Sequence, residues 1–224
     1  MRMKILLFYI SYHFIYNGFK GDDVMEMNNN LTLNDIFQMI KDDPMNLSYT
    51  KNNHDPLYLV SEKSKIIIVG QAPGIKAEMS GLTWNDKSGD RLREWLGVTR
   101  DMFYNQDLFG MIPMDFYYPG KGKSGDLPPR KGFAEKWHPL ILKHLKHVKL
   151  IVLVGSYAQN YYLGDTKKDT LTETVKAYQS YLPLYFPLVH PSPRNIGWHM
   201  NNPWFEKEVI PYLQARVKEI LEER

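Results

Sequence analysis

Two short runs constrain this chain most: Lys65-Ile-Ile-Ile-Val-Gly70 and Leu150-Ile-Val-Leu-Val-Gly155. Between its first residue and its closing glycine each is apolar throughout, so neither shows the alternation of a strand with one wet face. Both are too short for a buried helix and read as strands covered on both sides. Asp107 to Met114 (DLFGMIPM) resembles them. A fourth run, Leu182 to His190 (LPLYFPLVH), contains Pro183 and Pro187 and is expected at a sheet edge or a bulge, because proline cannot donate to the ladder.

Helical patterns separate these runs: Gly89 to Leu96, Ala134 to Lys146, Tyr157 to Leu163, Leu171 to Tyr181 and Trp204 to Glu223. Ser88 is the expected N-cap of the first, and Asn202-Pro203 starts the last. A further short helix, Asn34 to Asp42, carries Ile36, Phe37 and Ile40 on one face and ends at Asp43-Pro44. Strands that alternate with helices predict a parallel sheet, since a parallel pair needs a crossover. The expected fold is a three-layer α/β/α domain with a central, mainly parallel four-stranded sheet.

The 224 residues fit one full-sized domain, given roughly 150 residues per domain. The expected division is an extension over 1–24 and one domain over 25–224. Ile5 to Tyr16 is apolar, but it carries His13, is followed by no small-residue cleavage site and is shorter than the ~20 residues of a membrane span. A mis-assigned start ahead of Met25 and Met27, or a surface arm, is the reading preferred over a targeting signal. The chain has no cysteine, which excludes disulfides, thiolate nucleophiles and cysteine-held iron–sulfur or zinc sites.

The net charge of +3 names no partner, but its distribution is uneven. Gly21 to Val60 holds seven acids against Lys41 and Lys51. Gly120 to Leu150 holds eight Lys or Arg against Asp126 and Glu135, with His138, His144 and His147 besides. Such a strip suits phosphate, although a solvated helix face is the commoner cause.

In open parallel sheets ligands gather beyond the carboxyl ends of the strands. Three segments stand there. Gly70-Gln71-Ala72-Pro73-Gly74 follows the first strand, its glycines allowing close backbone approach and Pro73 stiffening the turn. Trp84-Asn85-Asp86-Lys87-Ser88-Gly89-Asp90 leads into a helix, where Asp86 reads first as local turn chemistry and only second as a catalytic residue. His190-Pro191-Ser192-Pro193-Arg194-Asn195 ends the last strand, and two prolines leave that loop little freedom to lose on binding.

In this order on successive α/β units, GQAPG, WNDKSGD and HPSPRN resemble the uracil-DNA glycosylase superfamily over roughly residues 66–204. HPSPRN is most similar to the single-strand-selective monofunctional branch, and GQAPG to the iron–sulfur branches, whose four cysteines are missing here. The runs PMDFYYPGKGKSGDLPPR and NPWFE resemble uncharacterised bacterial members. The resemblance implies a DNA glycosylase that flips a deaminated base, uracil first, and hydrolyses its N-glycosidic bond in base-excision repair. It implies no strand scission, no cofactor and no metal.

His190 would then donate to the base O2. Asp86 would handle the water and the sugar cation, because the position of the usual first-motif carboxylate is Ala72. Gln71, Ala72, Pro73, Gly74 and Trp84 would wall the base. The base-reading asparagine of the family has no counterpart in Pro113 to Pro119, so Asp115 would read a base edge with Phe116 or Tyr117 stacking on it. Ser88, Lys121, Lys123, Arg130, Lys131, Ser192, Arg194 and Asn195 would meet the DNA. A cytoplasmic monomer acting on DNA, away from membranes, is expected.

Other signals are weaker. Gly120-Lys-Gly-Lys-Ser-Gly-Asp126 lacks the Lys and Ser/Thr that must follow the second glycine of a nucleotide-triphosphate loop. The three histidines have no further ligand nearby and are expected on a solvated basic face. Trp198, close behind HPSPRN, is the tryptophan most open to a role at the site. Two further readings stand beside the glycosylase: a non-catalytic nucleic-acid or nucleobase binder on the same scaffold, suggested by Ala72 and the missing base-reading asparagine, and a hydrolase of free nucleosides, which would need no basic strip.

Overall fold

The computed structural model describes residues 31–123 and 125–223. The expected 1–24 extension lies outside the described residues. Four strands form one parallel sheet: β1 (Ile66–Val69), β2 (Phe109–Met111), β5 (Leu150–Val154) and β6 (Tyr185–Leu188), in the order β2-β1-β5-β6. Between β2 and β5, β3 (Lys121–Gly122) and β4 (Gly125–Asp126) make a small antiparallel hairpin. The two runs apolar throughout are the central pair, with Ile66 opposite Leu150 and Val69 opposite Leu153, and both are wholly buried.

Successive residues of β1 feed two different cores, as a period of two requires. Ile66 and Ile68 pack with Leu92, Trp95, Leu213 and Val217, from the Lys87–Leu96 and Ile210–Glu222 helices. Ile67 and Val69 pack with Ile36, Trp137, Ile141 and Ala158, from the Leu33–Asp42, Phe133–Leu142 and Ser156–Leu163 helices. This is the expected α/β/α layering. Pro187 sits on the edge strand β6, opposite Leu153. The other edge, β2, is blunted by Leu59, which exchanges both backbone hydrogen bonds with Met111.

Several boundaries differ from expectation. Asp86, not Ser88, caps the helix that begins at Lys87: its carboxylate accepts from the Gly89 N–H at 2.9 Å. The long C-terminal pattern is broken into a π-helical turn, Phe205–Val209, and an α-helix, Ile210–Glu222. Pro211 lacks the N–H that would carry the α ladder back through that turn, which accounts for the break.

The histidine strip is also not a solvated helix face. The helix ends at Leu142, so His144 and His147 lie in the turns beyond it, and His138 is buried. The His138 ring sits between Tyr162 and the carbonyl of Pro113, just past β2. A carbonyl only accepts, so Nε2–H donates to Pro113 at 2.9 Å, and Nδ1 accepts the Tyr162 hydroxyl at 2.8 Å.

Burial pushes the His138 pKa down from 6.5 to about 4. The unfolded chain therefore takes up this proton more readily than the folded one. Stability is expected to be full above about pH 6.5, to fall as the pH is lowered towards 4, and then to level off for this group, a loss of roughly 3 kcal/mol. Urea unfolding at about pH 7 and about pH 4.5 measures it, with a His138→Gln variant losing less between the two.

Candidate active site at the carboxyl edge of the sheet

Beyond the carboxyl ends of β1, β5 and β6 lies a cavity of about 320 Å³. Gln71 enters it from the loop after β1, and His190, Asn195 and Trp198 from the segment after β6. Gly155, Ser156 and Tyr157, after β5, complete the polar part of the wall, with Val154, Leu171 and Val189 as the apolar part. The three residues after β5 were not among those expected, although Gly155 closes its apolar run as Gly70 does. Trp198 is fixed by its indole N–H, which donates to Thr172 Oγ1 at 2.9 Å.

The His190 loop is held from within. Asn195 Nδ2 donates to the His190 carbonyl at 2.7 Å, and Ser192 Oγ accepts from the Arg194 N–H at 3.2 Å. Arg194 itself is exposed. Burial lowers the His190 pKa from its ordinary 6.5, while the Asp86 carboxylate pulls the other way. Asp86 does not line the cavity, but its field reaches the imidazole. Replacing Asp86 by Asn should therefore lower the His190 midpoint further in an NMR titration. An unmoved midpoint would place the two groups too far apart to cooperate.

Trp84 joins these two segments. It takes a left-handed backbone conformation, φ 56°, which is costly for a tryptophan. Its carbonyl accepts from Arg93 Nη1 at 3.2 Å, and Tyr104 Oη donates to the Thr83 carbonyl at 2.9 Å. The indole ring thereby covers Gly70, where a Cβ would lie 2.8 Å from Cζ2, and meets the His190 ring at 5.8 Å between centroids.

Gly89 closes the turn from below, because a Cβ there would come within 1.7 Å of the Trp84 carbonyl oxygen. Gly89→Ala is expected to displace Trp84 and Asp86 together and to cost about 1–3 kcal/mol or more. Urea midpoints and tryptophan fluorescence check it. A variant as stable as the parent, with unchanged emission, would show that the turn is not locked.

The remaining expected residues divide. Ala72 is half-buried, Pro73 is buried, and Gly74 starts the Ile75–Ser80 helix, so of this loop only Gln71 reaches the cavity. Ser88 is half-buried in the first turn of the Lys87–Leu96 helix. Lys121, Lys123 and Lys131 are exposed.

Asp115, Phe116 and Tyr117 do not face the cavity, which corrects their assignment as base-reading residues. The Asp115 side chain is 0% exposed and is gripped by Arg130, with Nε at 2.7 Å from Oδ2 and Nη2 at 2.8 Å from Oδ1. Arg130 also donates to the Met45 carbonyl and to Asn46 Oδ1, under the rings of Tyr49, Tyr117 and Phe133. It is thus spent inside the protein rather than on DNA. Phe116 stacks on His138 and Tyr117 on Tyr49, both in the core. A buried carboxylate needs a charged partner, and this one takes its partner from fifteen residues further on.

Among the described residues no group of three His, Cys, Asp or Glu could hold a metal ion. Nor is any helix among them long and apolar enough to cross a membrane.

Residues 57–214 match the family model for the uracil DNA glycosylase superfamily. Among solved structures the chain is similar to a solution NMR structure from Methanosarcina acetivorans named a "putative Uracil DNA glycosylase". The two are 16% identical, the match covers 71% of this chain and 94% of the other, and the TM-score is 0.42.

Proposed function

The chain belongs to the uracil DNA glycosylase superfamily, and on that premise we propose that it is a monofunctional DNA glycosylase that draws a deaminated base, uracil first, into the cavity and hydrolyses its N-glycosidic bond. The observation that carries this reading is the meeting of Gln71, His190 and Asn195 on one cavity, with the Asp86 carboxylate acting on His190 from beside it.

Breaking the glycosidic bond sends its electron pair to the base and leaves cationic character on the sugar; a water oxygen then bonds to C1′ and gives up a proton. A depressed pKa keeps His190 neutral at pH 7, able to donate one N–H to the base oxygen on which negative charge grows. Asp86 spends Oδ1 on the helix cap, and its second oxygen serves to orient the water and to offset the sugar cation. Ala72 offers no carboxylate for that task. No lysine lines the cavity among the described residues, in keeping with hydrolysis and not a Schiff base.

Because Asp115 is committed to Arg130, the base edge falls to Gln71. Its amide Nε2 already donates to the Leu127 carbonyl at 3.0 Å, which leaves Oε1 to accept an imide N–H such as that of uracil. Ser192 Oγ accepts within its own loop, so its hydroxyl hydrogen is left for a phosphate, and exposed Arg194 can reach the backbone or the space that the base vacates. A second reading, binding without turnover, draws on Ala72 and on the engagement of Asp86 as a cap. Oligonucleotides that each carry one altered base, treated with the protein and then with alkali, separate the two: abasic cleavage supports the enzyme, and binding without cleavage the binder.

A further inference from the structure

Two short helices follow the loops that supply Gln71 and His190: Ile75–Ser80 and Ile196–Asn201. Neither buries a residue, and each shows an isoleucine and a methionine four apart to solvent, with Met79 80% exposed and Met200 76%. Single exposed apolar residues are ordinary, but on a helix that buries no residue and follows directly on a loop that enters the cavity they form a surface open to a partner.

The first helix extends this surface onto the β3–β4 hairpin. Gln71 Nε2 holds the Leu127 carbonyl, and the Cβ direction of Gly74 meets Asp126 Oδ2 at 3.8 Å, so the hairpin adjoins the start of the helix. Leu127 is exposed and adds a third apolar side chain. Lys76, Lys121 and Lys123 are exposed in the same stretch, against the two acids Glu78 and Asp126.

We infer that Ile75, Met79 and Leu127, with Lys76, Lys121 and Lys123, form a track for single-stranded or locally unwound nucleic acid leading to the cavity. This rests on the glycosylase reading and narrows its substrate class. The lysines take the phosphates. The apolar side chains take the faces of bases next to the extruded one, a contact every base can make. An intact duplex would satisfy the lysines alone, since its bases stay stacked on one another and offer no apolar face to Met79 or Leu127.

The test uses the full chain and an undamaged oligonucleotide with one 2-aminopurine, so that no turnover is needed. Wild-type protein is expected to bind the single strand more tightly than the same sequence as duplex and to raise the 2-aminopurine emission through unstacking. Met79→Ser/Leu127→Ser, both on the surface, should weaken single-strand binding about tenfold and abolish the rise in emission, with the salt dependence and the duplex affinity unchanged. Lys121→Gln/Lys123→Gln should instead flatten the salt dependence.

Single-strand affinity that stays within about twofold in the serine variant, or an equal loss on duplex, overturns the track. So does a change in sedimenting mass of the serine variant, which would assign the ridge to a protein partner. A chain that binds and unstacks strands yet releases no base keeps the track and loses the glycosylase. One that excises uracil with the ridge removed and binding unaltered does the reverse.

Discussion

Asp115→Ala is expected to destabilise the protein by about 3–5 kcal/mol, the largest loss from any single truncation near the site. The substitution strips Arg130 of both carboxylate oxygens while its guanidinium stays beneath Tyr49, Tyr117 and Phe133. The damage should spread, because the Asp115 N–H also donates to the Gln71 carbonyl at 3.2 Å and Arg130 anchors the Met45–Asn46 turn. Urea unfolding measures it. Adding Arg130→Met to Asp115→Ala should recover part of the loss, since an apolar side chain leaves no stranded charge. A single variant within about 1 kcal/mol of wild type would show that the pair is dispensable.

Asp86→Asn and His190→Ala are expected to lower turnover by about 10²–10⁴-fold each, the range for a general base or for a lone donor to a developing anion. Asparagine keeps a side-chain oxygen for the Gly89 N–H, so Asp86→Asn should leave the helix cap and the fold intact while removing the negative charge. Its affinity for damaged DNA should therefore persist as turnover falls. If Asp86 were only a cap, Asp86→Asn would turn over like wild type.

The strands were legible because burial on both faces leaves a plain mark in sequence, as in Ile66 to Val69 and Leu150 to Val154. Pro187 likewise announced an edge. What escaped was set by geometry between distant residues. Asp115 follows a strand as a ligand-reading residue would, and only the return of the chain at Arg130 turns it inward.

His138 lies in a basic stretch, yet the helix there buries it and ends four residues later, so the strip never forms one face. Ser88 and Asp86 are both good caps by type. The choice between them rests on the extended backbone of Asp86 and on the tight approach of Gly89 to the Trp84 carbonyl. The order of GQAPG, WNDKSGD and HPSPRN singled out Gln71 and His190, which line the cavity, and Asp86, which lies outside its lining. The wall after β5 carried the same glycine signal, at Gly155.

The most direct measurement is abasic-site formation on a uracil-containing single strand, comparing wild-type protein with Asp86→Asn at equal, verified binding. Alkali-labile product is expected from the wild type, and about 10²-fold less or lower still from the variant. Equal product from both would contradict the role given to Asp86, and tight binding with no product from the wild type would contradict the enzyme itself.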